Sequence, residues 1–203
     1  MKMIEAYVKE LDGIWFGVAC DDKLVYGTAF ASNEKTAINN LSEAVPRGFK
    51  FEKRQKISEF AKHIITMIKD VYDGKDVREH VSFYEDRMPP FTKRVIEASY
   101  KIPVGYATSY GGIAEAVGGG ARAVGNVMAR NPFCPLVPCH RVVCSDLTLG
   151  GYGGGRGTGL QIKLAFLKRE KRGYTSKKEV QVDGGKLQVF PVELVLQKAA
   201  RSK

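Results

Sequence analysis

Long apolar runs are missing from this chain of 203 residues; none approaches the ~18 to 20 residues that cross a bilayer. Its first residues, Met1-Lys2-Met3-Ile4-Glu5-Ala6, put an acid where a secretory leader needs its apolar stretch. Both absences predict a soluble intracellular protein with no membrane partner, cytoplasmic, or nuclear in a eukaryote. Cysteine is scarce: Cys20, Cys134, Cys139 and Cys144 are the whole set, without a C-x-x-C pair. That excludes a zinc ribbon and a disulfide framework, and leaves reduced thiols as the expectation. Of the three histidines, His63 and His80 form no metal constellation with Cys20, so no metal site is expected. The glycine-rich stretch from Gly150 to Gly159 lacks the Lys-Ser/Thr of a P-loop, and no G-x-G-x-x-G follows a strand in a βαβ unit. It reads as a flexible pocket wall, not a nucleotide site.

What the chain does have is an ordinary globular balance, 44% hydrophobic and 27% charged, enough for one domain or two small ones. Its charge is uneven. From Met1 to Arg87 there are 14 basic and 15 acidic residues, from Met88 to Glu170 10 and 4, and from Lys171 to Lys203 8 and 3. The whole net charge of +10 therefore lies past residue 87. Such asymmetry points to a polyanion docking on the C-terminal part, the alternative being a solvated basic face with no partner.

The first third alternates as strands do. Ile4 to Lys9 and Ile14 to Cys20 flank the turn dipeptide Asp12-Gly13, and Leu24 to Phe30 follows a second turn, predicting a three-stranded antiparallel meander. Ser32-Asn33 can cap a helix to about Ala44, and Ile57, Phe60, Ala61, Ile64, Ile65 and Ile68 have helical spacing. Met88-Pro89-Pro90 marks a boundary, since consecutive prolines exclude helix before them. The predicted organisation is a scaffold domain over 1–87, a second domain over 88–171 and a basic tail over 172–203 with a hairpin around Gly184-Gly185. In the second domain, helices at Phe91–Tyr100 and Tyr110–Val117, a Gly118-Gly119-Gly120 turn and a helix from Ala121 to about Arg130 make a helix-turn-helix pattern. Ala121, Val124, Val127 and Met128 can face the core, leaving Arg122, Gly125, Asn126 and Ala129 outward. Such a small-residue face fits a nucleic-acid groove or another helix. Gln161 to Lys171 is a further helix.

Pro138-Cys139-His140-Arg141 sets a thiol beside a histidine at a proline kink. A free thiol is only a few per cent thiolate near neutrality, so a nucleophile needs a base or positive charge nearby, which His140 or a helix N-terminus after Pro138 would supply. On these residues alone, a buried thiol beside a structural histidine fits as well. Cys134 and Cys144 have no adjacent histidine, and Cys20 suits packing.

Asn131-Pro132 followed by Pro138-Cys139-His140-Arg141-Val142-Val143 closely resembles the active-site signature of the O6-alkylguanine-DNA alkyltransferases, the single-turnover methylated-DNA–protein-cysteine methyltransferases. Phe91-Thr92-Lys93-Arg94-Val95, Thr108-Ser109-Tyr110, Ala121-Arg122-Ala123-Val124-Gly125, the Gly-Gly-Tyr loop and Glu170 extend the resemblance over Pro90 to Glu170. It implies an α/β N-terminal domain, ribonuclease-H-like with a three-stranded antiparallel sheet, and a mainly helical C-terminal domain with a winged helix-turn-helix. It also implies a monomer that repairs double-stranded DNA carrying O6-alkylguanine, entered from the minor groove with little sequence preference and without a cofactor.

By that resemblance Cys139 is the alkyl acceptor, His140 its base through a water and Glu170 the carboxylate orienting His140. Asn131 braces the hinge between the reading helix and the active-site turn, and Tyr110 rotates the phosphate and donates to guanine N3. Arg122 replaces the extruded nucleotide, with Ala121, Gly125, Asn126 and Ala129 on the DNA face. Tyr110, Val142, Met128, Tyr152, Gly153 and Gly154 form the pocket, and the main chain at Cys139 and Val142 reads the guanine edge. Two departures stand out: with Cys20 alone before residue 134, the zinc site of some members is not expected, and the Arg156-Gly157-Thr158-Gly159 stretch is longer than the pattern.

Overall fold

The N-terminal alternation produces the predicted hairpin. In the computed structural model, which describes residues 3–77, 79–153 and 158–201, β1 (Met3–Leu11) and β2 (Ile14–Cys20) pair from Glu5 opposite Cys20 to Leu11 opposite Ile14. Asp12 and Gly13 both take positive φ, 53° and 76°, the two-residue turn whose twist matches its strands. β3 (Val25–Ala31) adds antiparallel to β2. The helix α1 (Glu34–Ala44) begins at Asn33, whose side chain accepts from the Thr36 N–H at 2.9 Å. β4 (Lys50–Lys53) then lies parallel to β1, giving the order β3-β2-β1-β4. The sheet is thus four-stranded and mixed where three antiparallel strands were expected. Lys50-Phe51-Glu52-Lys53 is an edge strand with no fully buried residue, so no apolar alternation announces it.

The spacing that predicted a second helix holds in α2 (Glu59–Tyr72), which buries Ala61, Ile64, Ile65 and Ile68. Its Tyr72 ring packs on Phe16 and Phe30 with centroids 5.3 and 5.4 Å away. A core of Ile4, Ala6, Ala19, Tyr26, Leu41 and Tyr84 lies within this part. No helix among the described residues is long and apolar enough to cross a membrane.

Contacts divide the chain into two units, and neither is one continuous stretch. The first comprises Met1–Tyr72, Val77–Arg87 and Pro132–Leu136; the second comprises Asp73–Asp76, Met88–Asn131 and Val137–Lys203. Residues 132–136 belong to the first because Thr28 binds them. Its N–H donates to the Pro132 carbonyl at 2.9 Å and its hydroxyl to the Cys134 carbonyl at 2.8 Å, while Phe133 packs on Phe83.

In the second unit α3 (Pro90–Tyr100) opens with a proline at its first turn, where the missing N–H costs nothing. A short strand β5 (Tyr106–Ser109) leads to α4 (Tyr110–Val117), capped by the Ser109 hydroxyl, which accepts from the Gly112 N–H at 2.9 Å. After Gly118-Gly119-Gly120 comes α5 (Ala121–Ala129), so the helix pair lies where the glycine turn placed it. β6 (Val142–Val143), α6 (Gly159–Arg169), β7 (Lys178–Val182), β8 (Gly185–Pro191) and α7 (Val192–Arg201) complete the unit. β6 pairs parallel and β8 antiparallel with β5, giving a second sheet of order β6-β5-β8-β7.

This unit is therefore less purely helical than expected, and residues 172–201 are not an appended tail. The hairpin lies at Gly184-Gly185, but Leu187, Val189, Val192 and Val195 are fully buried, the last two in a cluster with Ala107, Val143 and Leu167. Apolar side chains at that spacing have nowhere to go but against β5 and α6.

Candidate functional site

Pro138 shapes the turn that carries Cys139. At φ −81° and ψ 69° it closes a three-residue γ-turn in which the Cys139 N–H donates to the Val137 carbonyl at 2.8 Å. Cys139-His140-Arg141 then make one 3-10 turn before β6. Three residues align few peptide dipoles, so the helix N-terminus considered for the thiol is minimal here. The turn engages the Cys139 N–H, while its carbonyl accepts from the Val142 N–H. Asn131 lies before this turn and donates its side-chain amide to the Val137 carbonyl at 2.8 Å, tying the end of α5 to the approach of Pro138.

Behind Cys139 stands a buried polar group. His140 is fully buried, stacked on Phe166 with centroids 4.5 Å apart, and its Nε2 lies 2.8 Å from Glu170 Oε1. Glu170, at the C-cap of α6, is fully buried too. Burial pushes its carboxyl up, but His140 and Arg141 outweigh this and hold it down to about 2. An ionised carboxylate can only accept, so His140 presents Nε2–H to it and carries its lone pair on Nδ1. Burial also lowers the imidazole pKa, which keeps the ring neutral. Its Nδ1 is buried with no hydrogen-bond partner among the described residues. A base with its lone pair unused sits next to the thiol in the chain.

Arg141 and Lys163 were not assigned roles from sequence. Arg141 Nε lies 3.1 and 2.9 Å from the two Glu170 oxygens, Nη2 donates to Oε1 at 2.7 Å, and Nη1 donates to the Ile102 carbonyl at 2.6 Å. This fork fixes the carboxylate that orients His140. Lys163 is fully buried on α6, its Nζ donating to the Val142 carbonyl at 2.6 Å and the Gly151 carbonyl at 3.1 Å. Burial draws its ammonium pKa down to about 8. The only sequence signal for it was a basic residue inside the otherwise apolar run Ile162 to Leu167.

Cys139 opens on a cavity of about 320 Å3. Of the expected pocket residues, Tyr110, Met128, Tyr152 and Gly153 line it. Gly154 lies outside the described residues, as do Arg156 and Gly157 of the longer loop. Val142, also expected in the pocket, is fully buried and not among the residues that line the cavity, and its carbonyl accepts from Lys163. Gly125 and Ala129 of α5 complete one wall, and Cys144, Gly150 and Gly151 another. Tyr110 begins α4; its hydroxyl is 3.4 Å from the Gly151 carbonyl, and burial together with the thiols of Cys144 and Cys139 pushes its pKa up to about 12.

On α5, Val124 and Met128 are buried and Val127 half-buried, whereas Ala121, expected inward from its spacing, is exposed with Arg122, Asn126 and Ala129. It lies at the first turn, ahead of the buried stripe, and so joins the outward set. Gly125 is half-buried at the cavity wall.

Known proteins resemble this chain in sequence and fold. A family model for the 6-O-methylguanine DNA methyltransferase, DNA binding domain, matches residues 90–172. The Methylated-DNA--protein-cysteine methyltransferase of Mycobacterium leprae is 51% identical over 83 residues, 40% of this chain and 48% of that protein. That of Methanocaldococcus jannaschii is 41% identical over 99 residues, 49% of this chain and 56% of the relative. In these two alignments the chain spans about half the length of the relative. The protein of the same name from Thermococcus kodakarensis is 33% identical over 147 residues, 70% of this chain and 82% of its own length. Among solved structures, Mycobacterium tuberculosis O6-methylguanine methyltransferase superposes with a TM-score of 0.59 at 26% identity, over 86% of this chain and 96% of that one. The O6-methylguanine DNA methyltransferase from Methanococcus jannaschii gives 0.58 at 27%, over 86% and 99%. With a relative one third identical across more than four fifths of its length, this chain belongs to the methylated-DNA–protein-cysteine methyltransferase family.

Proposed function

We propose that this protein repairs O6-alkylguanine in duplex DNA by moving the alkyl group irreversibly onto its own Cys139. One observation carries the reading: the Cys139 thiol faces a cavity walled by the second helix of a helix-turn-helix, with His140, Glu170 and Arg141 stacked behind it. His140 Nδ1, through one water, takes the thiol proton; Glu170 holds the ring, and Arg141 holds Glu170. The sulfur attacks the alkyl carbon in line and the carbon–oxygen bond breaks. The electron pair passes into guanine, whose ring nitrogen then takes a proton. Tyr110, kept protonated by its raised pKa, donates to the base as that charge develops.

The lesion is out of reach inside a stack, so the nucleotide is extruded, at a cost of a few kcal/mol that a badly paired base reduces. Arg122, exposed on α5, fills the vacated place. Ala121, Asn126 and Ala129 are small enough to let the helix approach the minor groove closely, with little dependence on sequence. The β7–β8 hairpin serves as the wing of the helix-turn-helix, and the first unit is a ribonuclease-H-like scaffold. A thioether is the end product and no group here cleaves it, so each monomer acts once and without a cofactor.

The test is the intact mass after incubation with a duplex carrying one O6-methylguanine, followed by peptide mapping. One added methyl group per molecule, on Cys139, is the expected result. Unchanged mass with tight lesion binding would make the protein a damage sensor instead; unchanged mass without binding would remove the reading altogether.

A further inference from the structure

Helix α5 and the Cys139 turn both line the cavity, yet the chain between them runs through residues 132–136, which belong to the first unit. This stretch is bound to β3. Pro132 and Pro135 have no N–H, which leaves carbonyls to be held. β3 is an edge of the first sheet, and its outer side is used twice. At Val25 the N–H donates to the Ser82 carbonyl at 2.9 Å, and the carbonyl accepts from the Tyr84 N–H at 2.8 Å. At Thr28 the N–H and the hydroxyl go to the Pro132 and Cys134 carbonyls.

These bonds are placed to fix a geometry. Thr28 is buried, so a carbonyl released by it is poorly compensated. Phe133 and Leu136 are buried as well, the Phe133 ring with its centroid 4.3 Å from that of Phe83. The stretch is also tied at its neck, where Asn131 before it donates to the Val137 carbonyl after it at 2.8 Å. Asn131 thus closes the loop and Thr28 holds its middle. The group behind the thiol is built separately, from His140, Glu170, Arg141 and the Ile102 carbonyl.

We propose that Thr28 is a positioning residue for alkyl transfer: its hydroxyl, by holding the Cys134 carbonyl, fixes how Cys139 stands against the DNA-facing helix α5. The inference rests on Cys139 being the alkyl acceptor from duplex DNA. A base delivered along α5 must meet the sulfur in line, and a displacement of one against the other costs rate steeply. Loosening the stretch therefore slows transfer from DNA, while the reactivity of the thiol itself is kept.

The test compares the full-length protein with Thr28→Val, which keeps the shape and removes the hydroxyl, and Thr28→Ser, which keeps the hydroxyl. Each is checked for a native thermal melt. Three quantities are measured: the single-turnover rate of methyl transfer from a duplex carrying one O6-methylguanine at saturating protein, the Kd for that duplex, and the rate at which iodoacetamide alkylates Cys139, read by peptide mapping. Thr28→Val is expected to slow transfer about tenfold, with Kd and iodoacetamide rate within about twofold of wild type, and Thr28→Ser to restore transfer. Phe133→Leu, which loosens the same stretch from the Phe83 ring, is expected to give the same split and is read in the same way if Thr28→Val does not fold. Unchanged transfer in Thr28→Val overturns the proposal, as does a Thr28→Ser protein as slow as Thr28→Val. A matching loss of iodoacetamide reactivity overturns it too, since the fault would then lie in the thiol. A wild-type protein that takes no methyl from the duplex sinks the repair reading and this inference with it; normal wild-type transfer beside an unaffected Thr28→Val sinks the inference alone.

Discussion

At Lys163 one ammonium holds two walls of the cavity, the strand leaving the Cys139 turn and the glycine loop that carries Gly151. Replacing it with methionine keeps the stem and removes the charge. Two carbonyls lose their donor, at about 1 to 3 kcal/mol each, while the cost of burying an ammonium disappears. The net loss of stability is therefore small, below about 3 kcal/mol by the same reckoning. Geometry suffers more: Lys163→Met is expected to slow transfer to Cys139 by about tenfold or more, since misplaced walls spoil the attack angle. Single-turnover rates on a lesion duplex, set beside thermal melts, check the split. Reading Lys163 from sequence was not possible, because a lysine on a helix is exposed unless a carbonyl pair happens to face it. Cys139, His140 and Glu170 were legible only as an ordered signature; their spacing of 30 residues between His140 and Glu170 says nothing of a 2.8 Å contact.

The buried His140–Glu170–Arg141 group also fixes how the protein meets acid. Burial lowers His140 below its ordinary 6.5, so as pH falls through that value the unfolded chain takes up a proton that the native protein refuses. Stability declines from there. Glu170, held at about 2 against an ordinary 4.5, contributes stability above pH 4.5 that is lost as pH falls towards 2. Both groups act in one direction, and the melting temperature is expected to fall steadily from pH 7 to pH 4. A melt that stays level over that range would mean that His140 is not buried neutral.

Elements were legible in proportion to how they bury their apolar residues. α2 shows its stripe openly, and the capping residue Asn33, the turn Asp12-Gly13 and the glycine run 118–120 each mark a boundary where the structure has one. β4 shows nothing, being short, charged and paired at the sheet edge with β1. The helix α7 did carry a signal: Val192, Val195 and Leu196 at helical spacing, Glu193 in the first turn and Lys198 and Arg201 in the last. It was obscured by the basic charge around it, which reads as a solvated tail. The pairing of β8 with β5 joins residues 80 apart or more and has no local trace.

For the molecule as a whole, the charge map and the fold disagree about the last thirty residues, and the disagreement is testable. Charge groups residues 171–203 with DNA as a basic extension, five positive charges in excess. The fold makes them half of the second sheet, with Leu187, Val189, Val192 and Val195 fully buried. At about 1.5 to 3 kcal/mol for each buried side chain of this size, those four alone carry stabilisation comparable with the roughly 5 to 15 kcal/mol of a whole domain. Glu193 reinforces the join, accepting from the backbone N–H groups of Arg172 and Gly173 at 3.0 and 2.5 Å. A chain ending at Gly173 keeps Cys139, His140, Arg141, Lys163 and Glu170, yet it loses the strand beside β5 and the helix against α6. It is expected to lose the cooperative melt of the second unit, and methyl transfer with it, at every salt concentration. A basic arm that only assisted DNA binding would behave otherwise: transfer would survive at low salt and fade as salt rises. Thermal melts and single-turnover transfer across a salt series, on the full and shortened chains, separate these outcomes. Preserved folding with a salt-dependent loss would return the segment to the role its charge alone suggests.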